Sequence, residues 1–165
     1  MRKLPLWVRT VLFTLLFPGT VVGFTPWLLL WLSAGAWPLG LAGLGWIGWA
    51  LLVLGALGYL LCALRFGREG QGTPAPWDAP RNLVGGGLYR WVRNPMYVSL
   101  VSVLLGVALA CDSGVLLAYA VFIWLLFHLR VVRYEEPVLA AQFGQPFRAY
   151  CERVPRWLPR RPRDR

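Results

Sequence analysis

Leu39-Gly-Leu-Ala-Gly-Leu-Gly-Trp-Ile-Gly-Trp-Ala-Leu-Leu-Val-Leu-Gly-Ala-Leu-Gly-Tyr-Leu-Leu-Cys-Ala-Leu64 carries no charged side chain and stops at Arg65. A run this long and apolar predicts a membrane-spanning helix, because hydrocarbon offers no partner for backbone N–H and C=O groups and only a helix satisfies them within one segment. Its glycines at 40, 43, 45, 48, 55 and 58 predict close approach to a neighbouring helix. Upstream, Trp7 to Leu32 forms a second apolar run, interrupted by Arg9 and by Pro18-Gly19, long enough to cross with a tilt or kink. The small residues 33 to 36 after it resemble a signal-peptide cleavage region, but the apolar core is too long for one. Downstream, Pro95 to Ala110 and Val115 to Val132 are separated by Cys111-Asp-Ser-Gly114, a tight-turn sequence. As a helix, Pro95 to Ala110 is only ~24 Å long against a hydrocarbon core of about 30 Å, so this hairpin barely crosses. The expected fold is an all-α, polytopic transmembrane bundle of about four spans, ending in a helical hairpin and a cytoplasmic interfacial helix.

Composition agrees: 58% of the 165 residues are hydrophobic and ten are tryptophan, too apolar for a soluble domain of this size. The net charge is +10, carried by arginines apart from Lys3. Long apolar runs separate the basic clusters, which excludes nucleic acid as the partner and favours membrane lipid. Arg2 and Lys3 precede the first run and Arg9 lies at its start, Arg65 to Arg93 lie between the second and third, and the rest follow at the end of the fourth or beyond it. The two opposite loops contain no Lys or Arg. The positive-inside rule therefore predicts a multi-pass inner-membrane protein with both termini cytoplasmic. The chain reads as one membrane domain: residues 1–64 hold two spans, 65–94 a cytoplasmic loop, 95–132 the hairpin and 133–165 a cytoplasmic tail. Cys62, Cys111 and Cys151 have no metal-ligand spacing, and neither a metal site nor a disulfide framework is expected.

Chemistry-bearing residues gather on the cytoplasmic side. Gly67 to Pro80, rich in Gly and Pro, predicts a loop without regular structure. Asn94 and Pro95 predict a helix start, with Asn as N-cap, Pro at the first helical position and Arg93 beside an anion-attracting helix N-terminus. Gly85, Gly86 and Gly87 give backbone freedom next to it. At the end of the fourth run, His128 lies two helical turns before Glu135 and predicts a shared face. Glu135 and Glu136 read as acids at a helix C-terminus, where the dipole prefers cations, so a bound positive group or hydroxyl donors are expected there. Phe143, Phe147 and Tyr150 have helical spacing and predict an amphipathic interfacial helix, while Arg160, Arg161, Arg163 and Arg165 end the chain as a basic patch for anionic lipid.

Gly87-Leu-Tyr-Arg-Trp-Val-Arg-Asn-Pro-Met-Tyr97, followed by Glu135-Glu136, Phe143-Gly144, Tyr150 and Val154-Pro155, resembles the integral-membrane methyltransferases related to isoprenylcysteine carboxyl methyltransferase and phospholipid N-methyltransferase. The resemblance covers the C-terminal half. It implies an S-adenosylmethionine-dependent enzyme acting on a lipophilic or lipidated acceptor, a carboxylate or amine, that arrives from the bilayer. It implies that Gly87, Tyr89, Asn94, Pro95, Glu135 and Glu136 bind the cofactor and that Arg93, His128 and Tyr97 act at the reacting end. Many relatives carry Arg-His-Pro where this chain has Arg93-Asn94-Pro95, so no imidazole is available as a base at position 94. Two other readings remain open on the sequence. One is an NADPH-dependent membrane reductase of the sterol-reductase type, with Arg81, Arg90 or Arg93 for the cofactor phosphate; the other is a non-catalytic lipid-binding protein.

Overall fold

The computed structural model describes residues 5–34, 37–70 and 82–161, and they are all-helical with no strand among them. Arg2, Lys3, Arg81, Arg163, Arg165 and the prolines at 74, 76 and 80 lie outside the described residues. The first apolar run forms α1 (Leu6–Leu16) and α2 (Thr25–Ser33), joined through Pro18-Gly19 and a π-helical turn at Thr20–Phe24. The second forms α3 (Gly45–Arg65), entered by a 3₁₀ turn at Ala42–Leu44 and extended by a π-helical turn at Phe66–Gly70. The start of the expected loop is therefore helical; residues 71–80 lie outside the described set. The hairpin comprises α4 (Pro95–Ala110) and α5 (Gly114–Arg130). Beyond it follow a π-helical turn at Val131–Glu135, α6 (Glu136–Phe143) and α7 (Gln145–Arg153). Three helical stretches, Val8–Ser33, Ala42–Glu69 and Gly114–Phe143, are long and apolar enough to cross a membrane, and α4 is a shorter apolar helix.

Two of the π-helical turns have the same origin. Each ends two residues before a proline, Pro26 or Pro137. A proline inside a helix lacks an N–H and crowds the carbonyl one turn earlier; widening that turn relieves the clash without stopping the helix. Thr25 N–H donates to Thr20 O, which leaves Val21 O facing Pro26 without an intrahelical donor. The Tyr119 hydroxyl of α5 donates to Val21 O at 3.0 Å, satisfying that carbonyl from the neighbouring helix.

α4 is the central element, with Ser99, Leu100, Val103, Leu104, Gly106 and Ala108 buried between α3 and α5. Its short length suits a position inside the bundle. Gly48, Gly55 and Gly58 face α4, as the glycine pattern predicts: a Cβ at Gly48 would stand 2.5 Å from Ala110 N, and one at Gly55 2.6 Å from Ser99 O. Gly106 answers from α4, where a Cβ would meet Leu52 N at 2.6 Å. Gly40, Gly43 and Gly45 have open space instead and take no part in this contact. Small residues let the two backbones touch, which is how helices associate where burial alone gives little driving force. The Thr14 and Tyr59 hydroxyls, 2.9 Å apart, tie the first helix to α3. Outward, Trp27, Trp31, Trp46, Trp49, Leu54 and Leu61 are exposed, the surface expected of helices that meet lipid.

Where α4 turns into α5, Leu39 N–H donates to Asp112 O at 3.1 Å, Gly114 N–H to Trp37 O at 2.9 Å and Leu41 N–H to the Asp112 carboxylate at 2.8 Å. The Ser113 hydroxyl caps α5 by accepting from Leu116 N–H at 3.4 Å. The arginine-rich end lies opposite.

Candidate active site

Three segments meet at that end. The first is residues 82–94, which contain a 3₁₀ turn at Gly87–Arg90 and lead into α4. The second is the junction of α5 with α6. The third is α7 and the extended strap after it. Val84 and Tyr89 pack with Cys62 at the end of α3, while Phe147, Tyr150 and Val154 form a second buried cluster with Leu139, Ala140 and Phe143. The Tyr150 hydroxyl joins the two by donating to Tyr89 O at 2.7 Å. Burial pushes the hydroxyls of Tyr89 and Tyr150 well above the ordinary tyrosine value, so both remain neutral.

Between these segments lies a small open cleft. Phe66, Leu83, Val84, Val131, Leu139 and Phe147 give it apolar walls, and Tyr89, Arg93, Asn94, Glu135, Glu136 and Tyr150 supply its polar groups. Mostly apolar lining with a few converging polar groups is the usual make-up of a small-molecule site.

The charges form two nets. In the first, Arg93 Nη1 lies 3.0 Å from Glu136 Oε1, and Arg156 grips the same carboxylate with both arms, Nε to Oε1 at 2.7 Å and Nη2 to Oε2 at 2.8 Å. Arg93 Nη1 also donates to Cys151 Sγ at 2.8 Å, while Arg93 Nε is buried with no hydrogen-bond partner among the described residues. The Glu136 carboxylate raises the Arg156 pKa above its ordinary value through their hydrogen bonds. In the second net, Arg130 Nε donates to Glu135 Oε1 at 2.7 Å and to the Tyr97 hydroxyl at 3.2 Å, and that hydroxyl donates in turn to Glu135 Oε1.

The helix end expected at Val132 is absent. Glu136 N–H donates to Val131 O across the π-helical turn, and the helical path continues into α6. The two glutamates therefore do not oppose a C-terminal dipole; Glu136 sits in the first turn of α6, and arginines compensate both acids. The extra residue in the turn also shifts the helical face, so His128 and Glu135 find different partners. His128 Nδ1 accepts from Trp157 Nε1 at 3.1 Å within a Trp124, His128 and Trp157 aromatic group, away from the cleft lining. Asn94 takes the N-cap position without a side-chain cap; its amide donates to Arg156 O at 3.1 Å instead. The expected single amphipathic helix through 143–150 is broken at Gly144, whose φ of 58° favours glycine, yet Phe143, Phe147 and Tyr150 still share one cluster.

Of the residues predicted for the site, the fold brings Tyr89, Arg93, Asn94, Glu135 and Glu136 to the cleft. Tyr97 stands behind Glu135. Pro95 is buried at the start of α4, and Gly87 lies against the Arg65 guanidinium. Arg130, Cys151, Arg156 and Trp157 were not singled out for the site from sequence, because each earns its place through a partner distant along the chain.

The chain is 28% identical over 153 residues to the cobalt-zinc-cadmium resistance protein CzcN of Cupriavidus metallidurans. That alignment covers 93% of this chain and 62% of the relative, so the chain spans less than two thirds of the relative's length. No solved structure is matched. The model of the phospholipid methyltransferase family matches residues 44–146, from the turn before α3 to the start of α7. That stretch carries the central helix pair, the Arg93-Asn94-Pro95 helix start and both glutamates, and the chain belongs to the phospholipid methyltransferase family.

Proposed function

We propose that this chain transfers a methyl group from S-adenosylmethionine to a lipophilic acceptor, a carboxylate or amine held in the bilayer. The cleft lies at the cytoplasmic surface of the inner membrane, with both termini on that side. One observation carries the reading: Arg93, Glu135 and Glu136 converge on a single cleft from the start of α4 and the α5–α6 junction, at the arginine-rich end of an otherwise apolar bundle.

The residues suit the cofactor. A flat base fits between apolar and aromatic walls, a carboxylate fits the Arg93 guanidinium, and hydroxyl or ammonium groups fit the glutamates. S-adenosylmethionine supplies a methyl group on a sulfonium, which an acceptor displaces in line. Such a reaction depends mainly on alignment of the two partners and exclusion of water. Arg130 and Tyr97 both meet Glu135 at Oε1, fixing the carboxylate and leaving Oε2 for a ligand. Tyr97 thus acts through Glu135. His128, engaged by Trp157 outside the cleft lining, orients an acceptor only where one reaches it from the bilayer side. Tyr89 and Tyr150 line the cleft, and the Tyr150 hydroxyl bound to Tyr89 O holds its walls together.

The test is incubation of the protein in vesicles of native lipid with labelled S-adenosylmethionine, followed by mass spectrometry of the lipid fraction. A labelled lipid product that disappears with Arg93→Ala supports the reading. An unlabelled lipid fraction, together with thermal stabilisation by NADPH but not by S-adenosylhomocysteine, refutes it.

A further inference from the structure

After α7 the chain runs back across the start of α4 as an extended strap. Arg93 N–H donates to Pro155 O at 2.8 Å, Asn94 Nδ2 to Arg156 O at 3.1 Å, and Arg160 N–H to Trp91 O at 3.0 Å. Trp157 fixes the strap to α5 through His128. The family match ends at residue 146, so nothing in that match assigns a role to this segment. Within it, Arg156 makes hydrogen bonds to both walls of the cleft. Its carbonyl holds Asn94 at the start of α4, and its guanidinium holds Glu136 at the start of α6 with two parallel hydrogen bonds.

We propose that Arg156 is a positioning residue for the cofactor cleft, setting the distance and orientation of Glu136 relative to Arg93; this rests on the cofactor reading given above. Glu136 receives one arm from Arg93 and two from Arg156, and its side chain is 21% exposed. Without Arg156, a single contact at Oε1 leaves the carboxylate free to swing about the Arg93 nitrogen. A bidentate guanidinium removes that freedom, and a lysine, a point charge on a flexible stem, restores the charge without the fixed geometry. The strap loses its grip on Asn94 only if its backbone moves, so side-chain substitution isolates the Glu136 contact.

The experiment measures S-adenosylhomocysteine affinity by calorimetry, and the KM for S-adenosylmethionine against kcat, on the full chain in detergent. Arg156→Ala and Arg156→Lys are compared with Arg153→Ala. Arg153 is an exposed arginine of the same tail whose side chain bonds Ala149 O, so its removal matches the loss of charge and lipid contact. The expected result is an affinity for Arg156→Ala weaker by roughly tenfold or more, a KM raised more than kcat is lowered, an intermediate value for Arg156→Lys, and no change for Arg153→Ala. Arg156→Ala binding within about twofold of Arg153→Ala overturns the assignment. If Arg156→Ala does not fold, wild-type affinity in Arg156→Lys overturns it equally. Absence of binding by the unaltered chain is a separate result that overturns the cofactor reading itself, and the assignment with it.

Discussion

At the end where α4 turns into α5, the helix pair is closed by main-chain hydrogen bonds between residues 37–41 and 112–114, with Asp112 as the sole charged participant among the described contacts. At the opposite end Arg93, Arg130, Arg156, Glu135 and Glu136 bind one another through side chains around an open cleft. Both ends hold the same bundle together. Main-chain bonds do so without desolvating any ion, whereas an arginine–carboxylate net must recover the cost of removing charges from water. Closure alone does not require such a net. Charges concentrated around a cavity are instead the mark of a site built to meet a polar ligand.

The contrast breaks most sharply at Arg93. Arg93→Ala leaves Glu136 with Arg156 alone and removes the buried donor at the cleft. Methyl transfer should fall about a hundredfold or more, the scale of losing one preorganised electrostatic contact, as measured by labelled product per unit of folded protein. Gly106→Val tests whether the two ends depend on a common spine. Its side chain enters a space where even a Cβ would meet Leu52 N at 2.6 Å, so unfolding free energy should fall by about 1–3 kcal/mol, read from denaturant or thermal unfolding in detergent. At the main-chain end, Asp112→Ala removes the acceptor of Leu41 N–H and places alanine at a φ of 47°. The cost should be about 1 kcal/mol in the same assay, with S-adenosylhomocysteine affinity unchanged. Equal losses of affinity from Asp112→Ala and Arg93→Ala would erase the distinction between the ends.

The smallest effect is one of pH. Burial holds the Tyr89 and Tyr150 hydroxyls above their ordinary value of 10.0, so their stabilising contribution is complete below that pH and is lost as pH rises towards the folded values. Melting temperature should therefore decline on the alkaline side, and Tyr150→Phe should flatten part of that decline. An unchanged alkaline limb would remove the hydroxyl from the account.

The helices were legible because lipid permits few alternatives: long apolar runs mark α1 to α5, and Asn94-Pro95 marks the start of α4 to the residue. The π-helical turn at Val131–Glu135 was not. Its local signal, Pro137, is one that a helix end and a widened turn share, and here the chain widens one turn and continues. That misreading placed Glu135 and Glu136 on a helix terminus, although the acids themselves reach the cleft. Arg156 was illegible for another reason. A tail arginine looks like any other lipid-facing cation until the strap folds back across Asn94, and a contact between positions 94 and 156 leaves no periodic trace in the sequence. The Asn94 amide, read as a cap, serves that contact instead.

The central claim is that the arginine-rich end is a cofactor site, and isothermal calorimetry with S-adenosylhomocysteine tests it most directly. The account predicts saturable binding by the unaltered chain that is lost or strongly weakened in Glu135→Ala and Glu136→Ala variants that remain folded. Binding that is absent in the unaltered chain, or unchanged in both variants, contradicts it.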